Sequence, residues 1–123
     1  MSELLDLDTL AEDWAAMKVP PDDSGLPMAV WITENDGYSH DVRVKVAVRH
    51  GAGTSWYWDS VSVGVRPAPH LVAGNRSRRG EFLTAADRDE ANRWIELNRD
   101  VIIDLWDSKM TPRAAQARLQ RLP

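Results

Sequence analysis

The clearest pattern in the chain is the alternation of valine with other residues, three of them cationic, over residues 42–49. Four valines occupy every second position there, and the positions between them include Arg43, Lys45 and Arg49. Side chains of a strand point alternately to its two faces, so a period of two is typical of a half-buried strand. The pattern predicts a strand whose valines face the core and whose cations face outward.

Two further segments have the composition of strands. Residues 28–34 are rich in β-branched and aromatic residues, and valines alternate with other residues over 61–65. An Asp36-Gly37 pair between the first two strands is a tight-turn signal. Short connections of this kind favour antiparallel pairing, so we predict a small antiparallel sheet of about three strands.

Helical spacing of apolar residues marks three other segments. The stretch from Thr84 to Trp106 predicts one long helix, with the Thr84 hydroxyl as cap and Asp87 at the third helical position. An apolar stripe predicts an acidic amphipathic helix over residues 1–19. A Thr111-Pro112 pair, cap followed by proline, predicts a short C-terminal helix.

Prolines, Gly25 and turn-forming residues interrupt the helical pattern at residues 20–27. They predict a linker between the N-terminal helix of residues 1–19 and a body formed by residues 28–123. The predicted fold class is therefore α+β: about three antiparallel strands packed by one long helix, with an N-terminal helix and a short C-terminal helix. A chain of 123 residues is ordinary for one such domain.

The composition of the chain excludes several classes of protein. The chain contains no cysteine, which excludes disulfides, thiolate zinc sites and cysteine nucleophiles. No apolar run approaches the roughly 20 residues of a membrane span, and the N-terminal MSELLDLD is acidic where a signal peptide would be basic. We therefore expect a cytoplasmic protein without a membrane anchor. Six tryptophans against one phenylalanine predict a core that rests on a few large anchors.

The three histidines, His40, His50 and His70, are the obvious candidates for chemistry. None has the short spacing of a metal site. Asp41 follows His40 directly, but neighbours in an extended strand point to opposite faces, so Asp41 cannot easily orient His40. The GAGTS stretch of residues 51–55 only partly matches a nucleophile elbow. The sequence therefore predicts no catalytic residue, no metal ligand and no cofactor.

A basic surface that carries tryptophan is the stronger candidate. Trp56 and Trp58 share the outer sheet face if the third strand runs unbroken from residue 56, whereas a bend near Asp59 would turn them into the core. Aromatic rings among Arg and Lys either stack single-stranded bases or anchor protein partners. The predicted partner-binding residues are Arg43, Lys45, Arg49, Trp56, Trp58, Arg66, Arg76, Arg78 and Arg79.

The order of motifs carries a resemblance. The stretches are VRVKV (42–46), VSVGVRPAPHLVAGN (61–75), LTAADRDEANRWIELNRDVIIDLWDSKM (83–110) and the closing short helix. From residue 28 onward they resemble a family of small bacterial domains of unknown function, often encoded in toxin–antitoxin-like gene pairs. The resemblance implies the same fold and a regulatory setting, but no established activity.

The chain departs from that family at one place. Many relatives carry Pro-His-x-His-Val where this sequence has HDVRV (40–44), so the family's two histidines fall on Asp41 and Arg43. Any role of those histidines is therefore not inherited. The acidic segment of residues 1–19 also lies outside the resemblance.

Three functions remain open. The first is a non-enzymatic module that binds and modulates another protein, antitoxin-like or regulatory, through the acidic N-terminal segment or the basic tryptophan face. A nucleic-acid-binding accessory protein is the alternative, and the net charge of −4 counts against it. A small hydrolase around His40 or His70 has the least support. Ile103, an apolar residue among charges, is the one hint of a homodimer.

Overall fold

The computed structural model describes residues 16–33, 35 and 40–123. Along this part of the chain the elements are β1 (Ala16–Val19), α1 (Pro21–Ser24), β2 (Val30–Thr33), β3 (Arg43–Ala47), α2 (Trp56–Asp59), β4 (Ser60–Gly64), β5 (His70–Leu71), α3 (Ala85–Leu97), α4 (Arg99–Trp106) and α5 (Pro112–Arg118). No helix among these described residues is both long and apolar enough to cross a membrane.

The strands of the described residues form one five-stranded sheet in the order β1-β2-β3-β4-β5, and each neighbouring pair is antiparallel. The alternating valines set its register, because Val46 of β3 lies between Val30 of β2 and Val61 of β4. These valines are buried in one apolar cluster with the helix residues Trp94 and Ile102. The predicted inward orientation of the β3 valines is confirmed.

The predicted sheet of about three strands packed by one long helix is wrong. Both additional strands are short edges: β1 pairs with β2, and the two residues of β5 pair with β4. The helical pattern assigns residues 16–19 to the end of the N-terminal helix, yet Met17 lies opposite Ile32 in the sheet. A few apolar positions fit either one helical stripe or one face of a strand. Residues 1–15 of the predicted helix lie outside the described residues.

Residues 20–27, predicted as a linker, fold against the end of the chain. They contain the one-turn helix α1 and place Leu26 in the core. The backbone N–H of Leu122 donates to the Ser24 carbonyl at 2.8 Å. Gly25 has a φ of 81°, and a Cβ at this position would lie 2.7 Å from the Leu122 carbonyl oxygen. Glycine is therefore required both by the backbone conformation and by the close approach of the C-terminal segment.

The predicted long helix is in fact two helices that meet at Asn98. This residue is buried, and its φ of −109° and ψ of 16° interrupt the helical backbone between α3 and α4. Its side-chain amide donates to the carbonyls of Trp94 and Gln120 at 3.1 and 3.0 Å, and its oxygen accepts from the Gln120 N–H at 2.6 Å. Asn98 thus joins the helix break to the segment that follows α5.

Both predicted helix caps are confirmed. The Thr84 hydroxyl accepts a hydrogen bond from the Asp87 N–H at 3.1 Å at the start of α3. The Thr111 hydroxyl accepts from the Ala114 N–H at 3.2 Å at the start of α5. Each bond satisfies a backbone donor that has no partner inside its helix.

Replacing Asn98 by Ala is expected to lower the free energy of unfolding by about 1–2 kcal/mol, because the two backbone groups of Gln120 lose their partner. Urea denaturation measures the loss, and hydrogen exchange at the Gln120 amide should accelerate. Gln116→Ala, at an exposed position on α5, is the matched control. Equal stability of the two variants would show that Asn98 does not fasten the C-terminal segment.

Two tryptophans anchor the interior as the composition predicts. Trp31 and Trp94 are fully buried and are the largest side chains of the core. Their indole N–H groups find no acceptor among the described residues. Apolar area, rather than hydrogen bonding, is therefore what these two rings contribute.

Candidate functional site

The sheet face opposite the valines is covered, not open. Lys18, Trp31, Lys45 and Ser62 form one row across β1, β2, β3 and β4. Trp31 is nevertheless completely buried. The Lys18 ammonium lies 5.5 Å from the centre of the Trp31 ring and donates to the Ala52 carbonyl at 2.7 Å, so the loop after β3 folds over this end of the row.

Lys45 occupies the middle of this face without a carboxylate. Its Nζ donates to the Ser62 hydroxyl at 2.7 Å and lies 5.3 Å from the centre of the Trp56 ring. No carboxylate of the described residues forms an ion pair with it. Burial, reinforced by the charges of Arg43 and Arg78, lowers the pKa of Lys45 to about 8. The ammonium is a partly desolvated cation whose charge no carboxylate of the described residues offsets.

The predicted tryptophans do not lie on a strand. Residues 56–59 form the one-turn helix α2, so the alternation that would place Trp56 and Trp58 on one sheet face is absent. The bend near Asp59 exists, but it does not turn both rings into the core. Trp56 is half-buried against Lys45, and Trp58 is 39% exposed.

A cavity of about 230 Å³ opens between α2, β4 and the loop that follows β5. It brings together a lysine, a serine, two aromatic rings and two arginines from positions distant in the sequence. We call it the Lys45 pocket, and the residues that define it are Lys45, Trp56, Tyr57, Ser62, Arg76 and Arg78.

Each arginine of the Arg76, Arg78, Arg79 cluster lies against an aromatic ring. The distances from guanidinium carbon to ring centre are 4.0 Å for Arg76 and Phe82, 4.3 Å for Arg78 and Tyr57, and 5.7 Å for Arg79 and Trp58. Such cation–π contacts hold flexible side chains in place while their charge stays near solvent. We call this region the arginine–aromatic surface. It consists of the Lys45 pocket together with the three arginines and their rings: Arg76, Arg78, Arg79, Tyr57, Trp58 and Phe82.

Tyr57 and Phe82 also belong to this surface, although no pattern in the sequence predicts them as binding residues. Phe82 is 52% exposed, which is high for a large apolar side chain. Only their positions in the sequence indicate a role in binding. Tyr57 lies between the two predicted tryptophans, and Phe82 closely follows the arginine cluster. Their pairing with particular guanidinium groups depends on how the loop returns to α2, which no spacing in the sequence specifies.

Asp59 offsets two of the predicted cations. Its Oδ1 accepts from the Arg49 and Arg79 guanidinium groups at 2.7 and 2.8 Å, and its Oδ2 accepts from the Ser55 N–H at 2.9 Å. Burial alone would raise the pKa of Asp59, but these three donors hold it below its ordinary 3.8. Arg49 also lies 3.3 Å from Glu81. Arg49 and Arg79 therefore add little net charge to the surface.

Arg43 and Arg66 lie around a different cavity. β4 ends at Gly64, and beyond it Arg66 makes two hydrogen bonds with Asp41 at 2.7 and 2.8 Å. These bonds lower the pKa of Asp41 to about 2. Arg43, Arg66 and His70 line a space of about 120 Å³. The structure thus separates these two predicted residues from the Lys45 pocket.

The three histidines contact three different groups. His40 stacks on Trp106 with ring centres 5.7 Å apart, and His50 Nε2 lies 2.9 Å from the Asp87 carboxylate. His70 Nδ1 hydrogen-bonds the Ala68 carbonyl, and its ring fills the space beside Gly64. Within the described part of the chain, no group of three or more potential ligands is placed to hold a metal ion.

Comparison of the chain with protein-family models, with curated proteins and with solved structures finds no match. The resemblance to the bacterial family of toxin–antitoxin-like gene pairs therefore stays a prediction from its motifs. Function has to be inferred from the arginine–aromatic surface itself.

Proposed function

We propose that the protein is a non-enzymatic interaction module that binds and modulates another protein, and that the arginine–aromatic surface receives an acidic segment of that partner. The observation that carries this proposal is Lys45, a partly buried cation without a carboxylate, bordered by Arg76 and Arg78. Acidic side chains of a partner would supply the missing charge.

The distribution of charge supports an acidic ligand. Arg49 and Arg79 are offset by Asp59 and Glu81, whereas no carboxylate of the described residues pairs with Lys45, Arg76 or Arg78. Charge complementarity of this kind steers association and selects among partners. The surface is therefore locally basic although the whole chain carries a net charge of −4.

The exposed rings support a protein as the ligand. Trp58 and Phe82 leave apolar area in contact with water next to arginines that are already held by ring contacts. Tryptophan and arginine are the residue types that most often dominate binding energy in protein interfaces. Side chains held before binding lose less conformational entropy when the partner arrives.

A nucleic-acid ligand is less well supported. Sheet modules that stack single-stranded bases present their rings on an open sheet face. Here Trp31 is buried under its neighbours, and Tyr57 and Phe82 each already have a guanidinium group on the ring. The net negative charge of the chain also opposes a polyanion.

The setting of the protein follows from the same proposal. A chain without cysteine suits a reducing cytoplasm, where we expect the protein to act. The resemblance to domains of toxin–antitoxin-like gene pairs makes the product of the adjacent gene the first partner to test.

Trp58→Ala and Arg78→Glu are each expected to weaken partner binding by at least about tenfold, since they remove an interface anchor and reverse an unpaired charge. The immobilised protein would capture its partner from nuclease-treated extract of the native host, and the purified pair would be measured at several salt concentrations. Arg118→Glu, an exposed change on α5, is the control and should bind normally. Undiminished binding by both surface variants would reject this surface as the interface.

Titration with labelled single-stranded RNA and DNA distinguishes the alternative ligand. The proposal expects no measurable anisotropy change at low salt. Binding that falls steeply with salt and falls again in Trp58→Ala would replace the protein partner by nucleic acid.

A further inference from the structure

We infer that the Lys45 pocket is a binding site for a phosphoryl group, that is, a small tetrahedral dianion. The inference goes beyond the proposed protein partner, because the pocket would bind such an anion without one. It depends on the cations that meet there, on the hydroxyl beside them and on the size of the cavity.

The donors of the pocket come from three elements. Lys45 extends from β3, Ser62 from β4, and Arg76 and Arg78 from the loop after β5. Because the Ser62 oxygen accepts from Lys45 at 2.7 Å, its own proton remains available to a ligand. The Tyr57 ring holds the Arg78 guanidinium at 4.3 Å. The pocket therefore offers ammonium, guanidinium and hydroxyl donors on a partly rigid frame.

The charge favours a dianion over a carboxylate. Three cations line the cavity, and no acidic residue is among its lining residues. Guanidinium groups match the paired oxygens of phosphate, and lysine adds a compact charge. A dianion would offset two of these three positive charges, whereas a carboxylate would offset only one.

The space fits a group larger than a water molecule or a carboxylate. The cavity measures about 230 Å³, whereas about 10–15 Å³ of such space is enough to hold one water molecule. A phosphoryl group and the first atoms of the compound that carries it can therefore enter. The rings of Trp56 and Tyr57 form an apolar wall against which that compound would lie.

Sulfate is the sharpest probe, because it is tetrahedral and keeps two charges at every pH of interest. We expect calorimetry at low ionic strength to show binding that weakens about tenfold from pH 7 to pH 9, as Lys45 loses its proton with a pKa of about 8. The other charged groups that face Lys45 are Arg43, Arg76 and Arg78, which stay protonated over this range. Lys18, beyond Trp31 on the same row, is a further cation of this face.

Two variants locate the binding site. Lys45→Met should weaken sulfate binding by about tenfold or more at pH 7 and remove its pH dependence, and Arg78→Gln should weaken it about tenfold at every pH. Arg118→Gln, at an exposed position on α5, is the control. Sulfate binding that both variants retain, or no binding by the wild type at low ionic strength, would overturn the inference.

The class of ligand has its own test. Inorganic phosphate and phenyl phosphate should bind at least about tenfold more tightly than acetate, because a dianion engages more of the cations. Equal affinities would refute a phosphoryl site. If a phosphotyrosine peptide binds more tightly than phenyl phosphate, the natural ligand is a phosphorylated protein. If the two bind equally tightly, the natural ligand is a small phosphorylated molecule. No partner protein is present in these titrations, so their failure would not affect the proposed function.

Discussion

Asp59→Ala is expected to lower the free energy of unfolding by about 1–3 kcal/mol at neutral pH, the size found when a buried acceptor of hydrogen bonds is removed. The Asp59 carboxylate is almost fully buried and accepts from Arg49, Arg79 and the Ser55 N–H. Its loss leaves all three donors without their acceptor. Urea denaturation measures the change.

The same carboxylate fixes the position of α2 and of the arginine loop. The Asp59 side chain bonds the residue before α2, and the Arg79 backbone N–H donates to the Trp58 carbonyl at 3.3 Å. Asp59→Ala should therefore also weaken binding at the arginine–aromatic surface. Asp59→Asn keeps the shape but has only one acceptor oxygen, so its amide nitrogen faces an N–H donor, and it should lose nearly as much stability as Asp59→Ala. Asp89→Asn, exposed on α3, is the control.

The pH dependence follows from the direction of the shift. The pKa of Asp59 lies below its ordinary 3.8 in the folded protein, so its stabilisation is complete above that value. It is lost as the pH falls through the folded-state pKa. The difference in stability between wild type and Asp59→Ala should accordingly be full at pH 7 and shrink below about pH 4. A difference that persists in strong acid would show that the carboxylate charge is not its source.

Lys45→Met, unlike Asp59→Ala, is expected to stabilise the protein. It should raise the free energy of unfolding by about 1–3 kcal/mol at pH 7. Burial lowers the pKa of Lys45 from 10.5 to about 8, which means that the charged form is destabilised in the folded protein. Methionine has a similar length and no charge to desolvate. The gain would show in urea denaturation, and Lys109→Met, exposed after α4, is the control.

The lowered pKa of Lys45 also determines how the stability of the wild type changes with pH. Between about pH 8 and 10.5 the unfolded chain binds more protons at this lysine than the folded protein does, so wild-type stability rises with pH in that window. The advantage of Lys45→Met should therefore be largest below pH 8 and vanish near pH 10.5. If the same variant also loses sulfate binding, one side chain lowers stability and supplies binding, which is typical of a functional site. A variant less stable than wild type at pH 7 would contradict this account.

The sequence predicts the local parts of the fold well. The alternation of valines gives β3 its inward face, and the two threonine caps begin their helices as expected, because each depends on residues close together in the chain. The short edge strands β1 and β5 could not be predicted in this way. A strand of two or four residues has too few positions to show a period, and it exists because a neighbouring strand offers unpaired backbone groups.

The break between α3 and α4 at Asn98 likewise depends on a contact between residues that are distant in the sequence. The apolar spacing continues across it, so the periodicity predicts one uninterrupted helix. What interrupts the helix is a side chain that bonds the backbone of Gln120, 22 residues later. Only the folded arrangement brings that partner close.

Some of the predicted binding residues lie together in the candidate site, and others do not. Lys45 and Trp56 are predicted on the outer face of the sheet, and Arg76 and Arg78 belong to a separate cluster of arginines; the fold brings all four to one cavity. The alternation that also selected Arg66 ends with β4, so that residue pairs with Asp41 instead. Residue type indicates what a surface can bind, but the course of the loops decides which residues share it.

The fastening of the C-terminal segment has a consequence for how the protein folds and opens. Leu122 bonds Ser24, and the Arg121 guanidinium donates to the Asp22 carbonyl 99 residues away. Closing so long a loop costs more conformational entropy than closing a hairpin, so these contacts should form after the hairpins of the sheet. The Asp22–Arg121 contact joins two exposed residues by one bond, which is typical of contacts that open by local unfolding. The exposed contact between Asp22 and Arg121 is therefore expected to form late in folding and to open early.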